Sequence, residues 1–219
     1  MDPQHLLTRA RRLAATATPG HRRLLGIAGP PGAGKSTLAA QLVDRLDGRA
    51  ALVPMDGFHL ATAELRRLDR LGRKGAPDTF DPDGYTALLE RLRHPVPGSV
   101  VYAPEFDRRI EDPVAGALPV PPEVPLVITE GNYLLLDTPP WRRVRALLDE
   151  VWYVDLAGAE RVRRLIARHE RFGTAREAAE HFVHTSDEAN ARLVAAGRAR
   201  ADLVVAFAPD AAPRPSGDG

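Results

Sequence analysis

The stretch Gly29-Pro30-Pro31-Gly32-Ala33-Gly34-Lys35-Ser36 constrains the fold more than any other feature of this chain. It has the spacing Gly-x4-Gly-Lys-Ser, follows the apolar run 24–28 and opens a helical stretch over 37–46. A strand that turns into a helix through several glycines can point successive backbone N–H groups inward, and the helix adds its positive end at the same spot. That arrangement is an anion nest for phosphate. Gly29, Gly32 and Gly34 permit the turn, and Pro30, Pro31, Ala33 and Thr37 complete the expected contact set. Lys35 is expected to reach the terminal phosphates of a nucleoside triphosphate, and Ser36 to hold Mg²⁺. Motors, transporters, switches and kinases all use such a loop, so it implies nucleotide binding and leaves the reaction open.

Short apolar runs recur at 24–28, 51–54, 126–129, 151–154 and 203–206, separated by longer stretches of helical character. Near-continuous apolar strands belong to parallel sheets buried on both faces. The alternation therefore predicts an α/β fold: a three-layer α/β/α domain around a mainly parallel five-stranded sheet. With 219 residues the chain suits one such domain, expected over 1–208. An amphipathic N-terminal helix falls within 1–18. Residues 72–124 are dense in Pro, Gly and charge and read as an acceptor-side insertion, with a helix over 84–93 and a short strand over 100–102. Residues 209–219 read as a flexible tail.

Thirty basic residues against twenty-nine acidic ones give a net charge of +1, which offers no sign of a nucleic-acid partner. There is no cysteine, which excludes disulfides, thiolate metal sites and a cysteine nucleophile. Arg9, Arg11 and Arg12 interrupt the N-terminal apolar residues, and no run approaches the ~20 needed to span a bilayer. The expectation is a soluble, cytoplasmic protein with no membrane partner. Whether the N-terminal helix only packs on the sheet or joins two copies as a homodimer stays open.

Three acids end or follow the apolar runs: Asp56, Glu130 and Asp155. In an open parallel sheet the carboxyl ends of the strands share one edge, where ligands bind. A carboxylate there can take the proton of an acceptor hydroxyl, and another can order a metal ion. Helix caps and loops also use such acids, and Asp155 is read that way.

The segments Val-Pro-Met-Asp56-Gly-Phe-His59, Lys74-Gly75-Ala-Pro77-Asp78-Thr-Phe80-Asp81 and Thr-Glu130-Gly131-Asn-Tyr resemble those of the phosphoribulokinase/uridine kinase/pantothenate kinase family. The resemblance covers roughly residues 22 to 207. It implies a P-loop NTPase fold with a helical lid, with ATP and Mg²⁺ as cofactors. It also implies Asp56 as the general base and Glu130 near the metal. The Lys74 segment is most similar to bacterial-type pantothenate kinase, and Asp187-x-x-Asn190 resembles a substrate-binding asparagine of that group, although Asn190 reads equally as a polar residue on a helix face. His59 is placed against the acceptor. Tyr102-Ala-Pro104-Glu-Phe106-Asp107-Arg108-Arg109 falls where the family carries acceptor-binding residues. Tyr102, Phe106, Asp107 and Arg108 are the candidates there, against the alternative of a solvated Arg-rich loop. The histidine–tyrosine pair of pantothenate kinases and the His-x-Arg ending of uridine kinases are both absent from this stretch. The Ala-Pro-x-Phe-Asp-Arg and Arg-His-x-x-x-Gly segments resemble the branch labelled fructose transport system kinases.

Arg161, Arg164, Arg168 and Arg171 are spaced three, four and three apart, which puts them along one face of a helix within an expected lid over 158–173. Such a stripe can close over phosphates, or it can be a solvated face. The family resemblance, aligned on Tyr153-Val154-Asp155, assigns the catalytic lid arginine to Arg168, with Arg164 second. The combined expectation is an ATP-dependent kinase acting on a hydroxyl of a small metabolite: nucleoside, sugar or pantothenate-like. The alternative is a P-loop ATPase or nucleotide-dependent switch with no small acceptor.

Overall fold

The computed structural model describes residues 3–206. Its strands are β1 Arg23–Ala28, β2 Ala50–Pro54, β3 Val101–Asp107, β4 Asp112–Val120, β5 Leu126–Gly131, β6 Glu150–Asp155 and β7 Leu203–Ala206. Five of them form a parallel sheet in the order β2-β5-β1-β6-β7, and β3 pairs with β4 as a separate antiparallel hairpin. Each of the five expected runs is a strand of the sheet. The helices are α1 Pro3–Ala15, α2 Lys35–Arg45, α3 Thr62–Arg67, α4 Pro82–Arg93, α5 Pro139–Leu147, α6 Gly158–Arg171, α7 Arg176–Phe182 and α8 Glu188–Ala195.

Both faces of the sheet are covered, which explains why its strands read as apolar runs without alternation. Leu25 and Ile27 of β1 face a layer with Leu6 and Leu7 of α1 and Leu38 and Leu42 of α2. Leu24 and Ala28 face the opposite layer, with Tyr85 and Leu89 of α4, Trp141 and Val144 of α5 and Val194 of α8. The three-layer α/β/α architecture is therefore as expected.

Residues 72–124 are not one insertion. The helix α4 within them starts at Pro82, with Asp81 as its N-cap accepting from the Gly84 N–H at 2.8 Å, and it buries Tyr85, Leu88, Leu89 and Leu92 against the sheet. Only the β3–β4 hairpin stands apart, and β3 runs well beyond the short strand expected at 100–102. The partner strand β4 went unseen in the sequence because most of its residues are exposed, so it carries no apolar period. Residues 209–219 lie outside the described residues. No helix among those described is long and apolar enough to cross a membrane.

Arg22, just before β1, is 2% exposed and donates to the carbonyls of Val124 at 2.7 Å, Pro121 at 2.7 Å and Leu92 at 3.1 Å. One guanidinium thus ties the end of α4 and the β4–β5 connection to the central strand. Replacing it strands three carbonyls, so Arg22→Met is expected to destabilise the fold by about 3 kcal/mol in denaturant unfolding.

Candidate functional site

The phosphate loop joins β1, the middle strand of the sheet, to α2. Gly34 caps α2 at φ 97°, a left-handed conformation that a side chain would strain. Lys35 is 8% exposed. Its Nζ donates to the Pro30 carbonyl at 3.1 Å and to Asn132 Oδ1 at 2.7 Å. Burial lowers the Lys35 ammonium to about 8, against the opposing pull of Glu130 and Asp56. The Ser36 hydroxyl donates to Glu130 Oε1 at 2.9 Å. Burial and then the nearby Asp56 raise the Glu130 carboxyl above its ordinary value.

A hydroxyl beside a buried carboxyl that a nearby cation would help to ionise suits a hard cation. Among the described residues there is no cluster of three or more His, Asp or Glu that could cage a metal. The donor set fits Mg²⁺, which uses one or two protein oxygens together with phosphates and water.

The four arginines of α6 have separate situations. Arg161 is buried and donates to the Pro31 carbonyl at 3.1 Å and to Glu188 at 2.7 Å, bracing the phosphate loop against α8. Arg164 pairs with Glu160 at 2.6 Å, and Arg171 lies over the ring of Phe172. The Arg168 guanidinium has no hydrogen-bond or ion-pair partner among the described residues. Burial is the main cause that lowers it from its ordinary value. Between α6 and the phosphate loop runs a cleft of about 800 Å³ lined by Gly34, Ser36, Thr37, Arg164 and Arg168, among others.

On the other side of Lys35 lies a second cavity of about 190 Å³. Asp56 enters it from a single 3-10 turn, Met55–Phe58, at the end of β2. The His59 ring is fixed by a 2.8 Å contact of Nδ1 with the Asp56 carbonyl and packs on Phe80 and Phe106 at centroid distances of 4.0 and 4.8 Å. Burial lowers the basicity of the His59 imidazole, against the opposing pull of Asp56, and so favours its neutral form. Lys74 Nζ lies 5.0 Å above the Phe106 ring and donates to the Glu111 carbonyl. The far wall comes from α6 to α8, where a π-helical turn, Val183–Asp187, precedes Asn190. Asp187 lies 3.4 Å from His169, and Asn190 donates to the Gly75 carbonyl at 3.4 Å.

No protein-family model matches the chain. It is 37% identical to the uncharacterized protein YggC of Escherichia coli over 196 residues, 87% of this chain and 80% of that protein. A Schizosaccharomyces pombe protein provisionally named a uridine kinase is 40% identical over 157 residues, 68% of this chain and 66% of that protein. The pantothenate kinase of Bacillus velezensis is 40% identical over 118 residues, which are 51% of this chain and 36% of that enzyme. A solved structure from Silicibacter sp. TM1040, provisionally named a fructose transport system kinase, is 38% identical with a TM-score of 0.85, covering 94% of this chain and all of the other. The chain belongs to the P-loop kinase family with uridine kinase-like and pantothenate kinase members. It is an ATP-dependent phosphotransferase.

In this kinase Asp56, His59, Lys74, Phe106, Arg108 and Asn190 all line the second cavity, with Lys35, Ser36, Glu130 and Arg168 on its phosphate side. Tyr102 and Asp107 do not. Val101, Tyr102 and Ala103 alternate buried, exposed and buried, which leaves Tyr102 58% exposed, and the register shift between Ala103 and Glu105 then brings Phe106, of the same parity, to the cavity. Asp107 turns to Arg109, whose hydrogen bonds hold its carboxyl down to about 2. Asn132, which sequence reasoning left out, holds the Lys35 ammonium; its signal was its place directly after the Glu130-Gly131 pair. Phe80, Glu111, Phe182 and Asp187 also line the cavity and come from four separate elements.

Gly57 explains the Asp-Gly-Phe sequence. A Cβ there would collide with the Pro104 carbonyl of β3, so the turn that carries Asp56 seats the hairpin only when this residue is glycine. Gly57→Ala is expected to leave the sheet folded, seen as unchanged far-ultraviolet circular dichroism. It should displace the hairpin and lower ATP turnover at least about tenfold.

Proposed function

We propose that the kinase transfers the γ-phosphoryl group of ATP to a hydroxyl of a small metabolite, with nucleoside, sugar and pantothenate-like compounds as the candidate acceptors. The observation that carries this reading is that two cavities meet at Lys35 and Ser36, one running along the phosphate loop and one containing Asp56. A switch or a simple ATPase has no need for a second chamber furnished with a carboxylate, a neutral histidine and two aromatic rings.

Gly29 to Thr37 would wrap the phosphates, with Lys35 on the terminal ones. Ser36 and Glu130 would hold Mg²⁺, which screens phosphate charge when bound. Asp56 would accept the proton of the acceptor hydroxyl as its oxygen attacks in line. Arg168, lacking a partner of its own, would stabilise charge on the transferring oxygens, and Arg164 would line the nucleotide cleft. His59, Lys74, Phe106 and Asn190 would hold the acceptor. A neutral His59 can exchange hydrogen bonds with a hydroxyl without competing for the phosphates as a cation would.

The test is ADP release from Mg·ATP against a panel of nucleosides, sugars, glycerate and pantothenate. At least one acceptor is expected to raise turnover well above the rate with water alone, and Asp56→Asn to lower that turnover by about 10²-fold or more. Turnover indifferent to every acceptor would favour the ATPase reading. An acceptor-dependent rate that survives Asp56→Asn would remove Asp56 as the base. Lys35→Ala is expected to cost about 10²-fold with any acceptor.

A further inference from the structure

The two cavities share a wall built from Gly32, Lys35 and Ser36 of the phosphate loop, Arg168 of α6, and Arg108. Arg108 is the member of that wall carried by the acceptor hairpin, directly after β3. Among the described residues its guanidinium makes one polar contact, 3.5 Å from Asp56 Oδ2, at the outer limit of a hydrogen bond. With the Arg108 side chain 41% exposed, so long a contact is weak. The same guanidinium lies 5.8 Å from the ring of Phe106 on its own hairpin and 6.0 Å from the ring of Phe172 at the end of α6. Stacking of this sort steers a cation while leaving its head free to change partner.

Arg168 faces the same wall from the other side. After burial, the like charge of Arg108 is the largest influence that lowers its basicity. Two guanidinium groups therefore converge where the cavities meet, and neither is held in a close ion pair among the described residues. Positive charge converging there suits an anion that occupies the site only during the reaction.

We propose that Arg108 is a catalytic residue that changes partner: the acceptor hydroxyl takes its place at Asp56, and the freed guanidinium moves onto the oxygens of the transferring phosphoryl group beside Arg168. The inference rests on the phosphoryl-transfer reading above. As the bond from the acceptor oxygen to the γ-phosphorus forms, the bond from that phosphorus to the bridging oxygen breaks. The electron pair leaves with ADP, the hydroxyl proton passes to Asp56, and Arg108 neither gains nor loses a proton. Before an acceptor arrives, Arg108 covers the base and is withdrawn from the phosphates. Both effects disfavour transfer to water, so the hairpin makes catalysis conditional on the second substrate.

The probe is Mg·ADP with aluminium fluoride, whose anion occupies the place of the transferring phosphoryl group, with glycerol present as the hydroxyl. Binding to the full chain is measured by calorimetry with and without the fluoride. The natural protein is expected to bind Mg·ADP at least about tenfold tighter with aluminium fluoride. Arg108→Gln should lose most of that gain while binding Mg·ADP alone within about twofold of the natural protein, which also shows that the variant is folded. If Arg108→Gln keeps the gain, or weakens Mg·ADP alone by the same factor, Arg108 does not act on the transferring group. No gain in the natural protein would instead overturn the transfer reading on which the proposal rests.

Discussion

Burial of β1 on both faces governs the rest of this molecule. With Leu25 and Ile27 committed to one layer and Leu24 and Ala28 to the other, the strand has no exposed side on which polar chemistry could sit. Its carboxyl end is where backbone polar groups first become free, and the phosphate loop begins there. Parallel pairing with β5, and of β5 with β2, brings the ends of those strands to the same edge. Glu130 and Asp56 stand beside the phosphate loop for that reason.

The edge is then enclosed from two sides by elements that are not part of the sheet. The hairpin closes over Asp56 through the contact of Gly57 with Pro104. The α6–α8 segment closes from the other side, braced by Arg161 between the Pro31 carbonyl and Glu188. A buried guanidinium in that position is costly unless every donor is used, so it fixes one arrangement of loop and lid. The Arg168 guanidinium, two turns further along the same helix, has no hydrogen-bond or ion-pair partner among the described residues. Arginines of one helical face thus differ in their partners, which their spacing does not distinguish.

The comparisons and the geometry bear on different questions. Relatives sharing over a third of their residues across most of the chain set the family and the ATP-dependent reaction class. The cavity that holds Asp56 is lined by side chains from the hairpin, from the Lys74 segment and from the π-helical turn before Asn190. Each of these elements is short, and an altered register in any of them changes which residue faces the cavity.

The sequence by itself determined the phosphate loop, the five strands of the sheet and the acids at their ends. Those features are local: a glycine pattern sets the turn, and a run of apolar residues sets a doubly buried strand. The roles of Arg161, Tyr102 and Asn132 were decided only by the tertiary structure. Arg161 and Arg168 share a helix face, and the approach of Pro31 and Glu188 makes Arg161 a structural brace while the Arg168 guanidinium has no such partner among the described residues. Tyr102 and Phe106 have the same strand parity, and a bulge imposed by packing sends them to different sides. Asn132 stands directly after Glu130-Gly131, which marks its place in the sequence, but its hold on Lys35 exists only once β5 lies beside β1. Side chains that meet across elements depend on how those elements pack, and no local pattern records that.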